Sequence, residues 1–137
     1  MKKYYLTLLS VLLWTIVNAQ TENVKIVFDV TSSDVGVHQS TLRHVKGMSK
    51  NYPNAQFEVV IYSGAIDMIL KDKSSIADDI ESFANNDNIK FVVCEMSMKR
   101  HEIGQKDLLA GVTSVPDGIL EIFAKQQEGW GYIKEAN

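Results

Sequence analysis

The sequence predicts an α/β domain with three layers, α/β/α, around a mostly parallel five-stranded sheet. Three observations lead there. Apolar, β-branched runs recur at residues 24–30 (VKIVFDV), 57–62 (FEVVIY) and 89–94 (IKFVVC). Runs without polar alternation are the mark of strands covered on both faces. Between them lie stretches with helical spacing of apolar residues, and strands alternating with helices imply βαβ units and a parallel sheet.

Each element follows from local chemistry. Residues 31–36 (TSSDVG) are turn-formers after the first strand. A helix is expected over 38–52, where Leu42, Val45, Met48 and Tyr52 recur at helical spacing and Pro53 stops the chain. Ser63-Gly64 turns from the second strand into a short helix over 65–70. A further helix opens at Ser75, with Asp78 three residues on as a weak capping box and Ile76, Ile80 and Phe83 on one face. Asn85-Asn86-Asp87-Asn88 ends it with residues that tolerate left-handed turns. After the third strand, one or two helical turns are expected within 97–103, ending at Gly104, then a short helical piece over 107–110. A brief fourth strand spans 112–115. Pro116-Asp117-Gly118 leads into a helix over 119–127, with Ile119, Leu120 and Phe123 expected inward, and a short last strand covers 130–133.

The amino end reads differently. Met1-Lys2-Lys3 is a basic start, residues 4–17 are almost wholly apolar, and Val17-Asn18-Ala19 resembles a cleavage site. That pattern is a secretory signal peptide over 1–19, followed by a single domain over 20–137. The apolar run is shorter than the ~20 residues of a spanning helix, so no membrane association is expected after cleavage. The expected location is periplasmic or secreted. Removing residues 1–19, which carry two Lys and no acid, leaves 118 residues and moves the formal charge from −3 to −5. Such an acidic balance argues against nucleic acid as a partner. One Cys in the whole chain excludes an internal disulfide and multi-cysteine metal sites.

Familiar catalytic signatures are missing: GxGxxG, the Walker loop, GxSxG, CxxC and HExxH. What remains is Cys94 and the residues after it, Glu95-Met96-Ser97-Met98-Lys99-Arg100-His101. In parallel sheets, ligand chemistry gathers at the carboxyl ends of strands. Those ends bring His38 (at the start of the first helix), Ser63, Gly64, Met96, Lys99, Arg100 and His101 into consideration as neighbours. A Cys where a strand feeds a helix meets the positive helix end, and Lys99, Arg100 and His101 add positive charge, both of which favour thiolate. A thiolate can accept a sulfur atom and hold it as a persulfide. The alternative is an inert core cysteine. A different reading joins Cys94, Met96, Met98 and His101 into a Cu(I) site, which requires an extended segment with the three sulfurs on one face. His38 is expected to be a partly buried, hydrogen-bonded histidine and His44 to be solvated. Asp34 and Asp117 are natural turn and cap residues. Met68, Trp130 and Tyr132 are apolar side chains available to meet another subunit.

VKIVFDV, FEVVIYSGAIDMIL, IKFVVCEMSM and VTSVPDGILEIFAKQQEGWGYIK, in that order and spacing, resemble the DsrE/DsrF-like proteins, particularly their exported single-domain members. The resemblance implies a five-stranded parallel α/β/α domain and homo-oligomers, commonly trimers or hexamers. Some intracellular relatives relay sulfur through a Cys at the end of the third strand, the place Cys94 occupies. It implies a sulfur-donor protein or a small sulfur species as partner, and no cofactor. The other function class is a non-catalytic oligomeric binding or scaffold module of the cell envelope.

Overall fold

The computed structural model describes residues 24–136; the leader assigned to 1–19 lies outside them. Five strands, β1 (Lys25–Val30), β2 (Gln56–Ile61), β3 (Ile89–Cys94), β4 (Val112–Val115) and β5 (Gly131–Glu135), form one sheet in the order β4-β3-β2-β1-β5. Every neighbouring pair is parallel.

Four α-helices are described: α1 (Val35–Asn51), α2 (Ala77–Glu81), α3 (Glu95–Arg100) and α4 (Gly118–Gln127). 3₁₀ turns at Ser63–Ile69 and Gln105–Asp107 complete the connections. Helix α1 starts three residues before the expected position because Asp34 caps it, its Oδ1 accepting from the Gly36 N–H at 2.6 Å. The segment expected to be helical over 65–70 is the tighter 3₁₀ form. Helix α2 begins at Ala77 rather than Ser75. Its N-cap is Ile76, with no side-chain cap, and Ser74 Oγ accepts from the Ile76 N–H instead. Helix α3 begins directly after Cys94, earlier than the 97–103 window, so strand and helix meet without a loop. The last strand is shifted by one residue at its start and runs two residues further than expected.

The two sheet faces differ. On one, Phe28, Val30, Phe57, Val59, Ile61, Phe91 and Val93 pack with α1, the first 3₁₀ turn, α2 and α3 to form the main core. Burial of this many large side chains, each worth ~1.5–3 kcal/mol, makes it the principal driving force for folding. Met68 is fully buried there and is not available to a partner, contrary to expectation. On the other face, a small cluster of Val27, Val60 and Val92 meets Ile122 of α4.

Helix α4 is the largest departure from the sequence reading. Ile119, Leu120 and Phe123 were expected inward, yet they are 63%, 62% and 58% exposed. The inward stripe is Gly118, Ile122 and Lys125, at positions i, i+4 and i+7. Lys125 turns in because Glu58 of β2 is buried beneath it and accepts from its ammonium at 3.0 Å. A buried carboxylate demands a partner more strongly than a half-exposed Leu demands burial, so the charge pair sets the helix rotation.

Candidate functional site

Cys94 ends β3 and occupies the N-cap position of α3, with no side-chain hydrogen bond to that helix. It is a free thiol at 5% exposure. Its neighbours come from two other elements. Val115 of β4 is its register partner. Gly118, the first residue of α4, lies against it: a Cβ there would stand 3.2 Å from Cys94 Cβ, 3.3 Å from Val60 Cγ1 and 3.4 Å from Tyr62 Cδ1. The thiol therefore belongs to the α4 side of the sheet, at the carboxyl ends of the strands.

The sequence reading missed the polar groups that share this end. Asp29 of β1, 6% exposed, accepts from Tyr132 Oη at 2.7 Å and Lys134 Nζ at 3.0 Å. Lys134 also donates to Thr31 Oγ1 at 2.7 Å and stands 5.9 Å from the Tyr62 ring centre. Burial, followed by the nearby Asp29 carboxylate, pushes the Tyr62 phenol up to about 12; the Cys94 and Tyr132 charges act in the same direction. Tyr132 is pushed up to about 12 chiefly by its hydrogen bond to Asp29, then by burial. Both phenols are thus neutral hydrogen-bond donors at any physiological pH. The available signal was the register of β1 and β5, which pairs Asp29 with Lys134, but register is not legible before the strand order is known.

The expected neighbours divide into separate groups. Ser63, Ser97 and His101 come together: the Ser63 N–H donates to Ser97 Oγ at 2.9 Å, and His101 Nε2–H donates to the Ser63 carbonyl at 3.1 Å. Helix α3 thereby clamps the turn after β2, where Ser63 has a φ of 57°. Gly64 is required by close approach, since a Cβ there would lie 3.1 Å from the Thr31 carbonyl oxygen. His38 is buried, and its Nε2–H donates to the Ser32 carbonyl at 2.8 Å, pinning the loop after β1. His44 is not simply solvated: its Nδ1–H donates to the buried Glu135 carboxylate at 2.8 Å. Asp117 caps α4, accepting from the Ile119 and Leu120 N–H groups. Lys99 and Arg100 are exposed in the last turn of α3, where they complement the helix dipole, ~7–9 Å along the axis from Cys94 at ~1.5 Å per residue.

The Cu(I) set is not brought together. Residues 95–100 are helical rather than extended, so alternate side chains diverge. Met98 is buried in the main core, Met96 is 57% exposed, and His101 is held by Ser63. Among the described residues no three His, Cys, Asp or Glu side chains are grouped to hold a metal. His101 also borders a cleft of about 250 Å³ with Asp67, Asp72, Lys73 and Asp107, which Cys94 does not line.

A parallel five-stranded α/β domain with a cysteine closing its third strand defines the class. The chain belongs to the DsrE/DsrF-like family, whose sequence description matches residues 17–134. It is similar to the structure of MTH1491, a protein of unknown function from Methanobacterium thermoautotrophicum, at 25% identity and a TM-score of 0.75, over 81% of this chain and 98% of that one. The fold is also that of the ychN protein from E. coli, at 14% identity and a TM-score of 0.64, over 82% and 98% of the two chains. The same holds for BT1422 from Bacteroides thetaiotaomicron, at 12% identity and 0.64, over 80% and 93%. No curated protein matches the chain.

Proposed function

We propose that the chain is an exported sulfur-handling protein that carries sulfur as a persulfide on Cys94. The supporting observation is the placement of its sole thiol at the carboxyl end of β3, against the first residue of α4 and beside the neutral Tyr62 phenol. In the uptake step, the Cys94 thiolate attacks the outer sulfur of a donor persulfide, R–S–SH. A new S–S bond forms at Sγ, the donor S–S bond breaks, and the donor leaves as R–S⁻; the transferred sulfur keeps its hydrogen, and charge balances. The donor is a small sulfur species or a partner protein bearing a persulfide.

The test is intact mass after incubation with polysulfide, or with thiosulfate and a sulfurtransferase. The expected result is an added mass of about 32 Da, one sulfur atom, absent from Cys94→Ser. A wild-type protein that gains no such mass, or a Cys94→Ser variant that gains it equally, refutes the reading. Export is tested separately: the protein recovered from the cell envelope or medium should begin at Gln20.

A second reading, a non-catalytic oligomeric module, is favoured by one observation. Ile119, Leu120 and Phe123 form an apolar stripe on α4 left exposed by the described residues, close in sequence to the Cys94 contact at Gly118. Contiguous exposed apolar surface marks an interaction site. The occupant inferred is a second copy of this chain, in a trimer or hexamer, and light scattering reads it directly.

A further inference from the structure

The underside of α4 carries a charge cluster that the sulfur reading does not use. Glu58, in the middle of β2, is 3% exposed. One carboxylate oxygen, Oε2, accepts from Lys125 Nζ at 3.0 Å. The other, Oε1, is buried without a hydrogen-bond partner among the described residues. Lys125 also lies 3.5 Å from Glu121, one turn earlier on the same helix, and its ammonium sits 4.8 Å above the centre of the Trp130 ring.

We propose that Glu58, Glu121 and Lys125 form a proton-sensitive latch that sets how firmly α4 is held against the sheet. With Glu58 ionised, Oε1 is an orphan acceptor among the described residues, and the Glu121 carboxylate, held by the same ammonium, is near enough to disfavour the charge, which is costly in a buried setting. A proton taken from solvent onto Oε1 turns that oxygen into a donor toward the Glu121 carboxylate, while Oε2 keeps its bond from Lys125. Both oxygens are then satisfied and the like-charge contact is gone, so proton uptake tightens α4 and release loosens it.

The surrounding groups agree in sign. Burial raises the Glu58 carboxyl above its ordinary range; Lys125 opposes this and Glu121 reinforces it, and burial prevails. For Lys125, burial acts downward, but Glu58, Glu121 and Glu128 together carry it upward, so it stays charged throughout. The register partners of Glu58 are Val27 on β1, which is apolar, and Lys90 on β3, which is exposed. Further along the same face, the Asp29 carboxylate is already occupied by Tyr132 and Lys134. Because Gly118 of the same helix packs on Cys94, the latch also bears on the cover over the thiol.

Trp130 is a built-in reporter. A Trp14→Phe background leaves it the sole tryptophan of the chain. Its fluorescence is followed from about pH 4 to about pH 9, a range spanning the ordinary carboxyl and imidazole values. The expected result is a one-proton transition with its midpoint above the ordinary carboxylate range. Glu58→Gln should abolish it, since its amide donates to Glu121 at every pH. Glu121→Gln should move the midpoint to lower pH, because the charge that raises Glu58 is removed. A flat wild-type profile, or a Glu58→Gln profile with the wild-type midpoint, overturns the latch. Should Glu58→Gln not fold, the Glu121→Gln midpoint decides: a lower value supports the latch and an unmoved one overturns it. None of these readouts depends on whether Cys94 accepts sulfur.

Discussion

Gly118 governs the surroundings of the thiol at the level of a single residue. Its missing side chain lets α4 approach Cys94, Val60 and Tyr62 at once. Gly118→Ala inserts a methyl group at 3.2–3.4 Å from all three, so a loss of about 1–3 kcal/mol in denaturant-induced unfolding is expected, typical of overpacking. Cys94 should then react faster with iodoacetamide, and an unchanged rate would show that α4 does not cover the thiol. The two phenols give a prediction with a definite sign. Both are raised from 10.0 to about 12 in the folded protein. A raised acid favours the neutral form in the fold, so stability is full below about pH 10 and falls as the pH climbs from there toward 12. Ultraviolet absorbance should show two phenols titrating near pH 12, and Tyr132→Phe should remove one of them.

Helix α4 shows at the level of an element what sequence patterning captures and what it cannot. Its existence and its cap were legible, because Pro116-Asp117-Gly118 is a helix-start signal. Asp117→Ala should cost about 1 kcal/mol, read by chemical denaturation, with faster amide exchange confined to the first turn of α4. Its rotation was not legible, because Glu58, the residue that turns Lys125 inward, lies 67 positions away on β2. Strands β3 and β4 were read at their exact bounds; the apolar run of β3 marks its burial, and β4 is bounded by Gly111 and Pro116. The placement of Cys94 at a strand end was likewise legible from its own segment. The Asp29–Tyr132–Lys134 cluster was not, because it exists only once the last strand pairs with the first. The copper reading required Cys94, Met96 and Met98 in one extended segment, and the helix that separates them begins at Glu95, ahead of the helical turns expected within 97–103, without a side-chain cap to announce it.

The whole molecule is covered unequally on its two sides. The main core fills one face, whereas the other relies on α4, which turns charged groups inward and apolar ones outward. If that outward stripe is a subunit contact, wild-type protein scatters light as a multiple of the monomer mass at micromolar concentration and Phe123→Lys scatters as the monomer. A wild-type monomer removes the contact. The strand order has its own consequence for how the chain is made. Residues Ile26 to Val30 pair on one side with β2, but their other side waits for Gly131 to Glu135. A ribosome delivers β5 after the four other strands, so until it arrives β1 keeps a bare ladder edge. Unpaired edges invite other chains. The domain is therefore most exposed to aggregation before β5 docks, and a copy truncated ahead of Gly131 would inherit that vulnerability permanently.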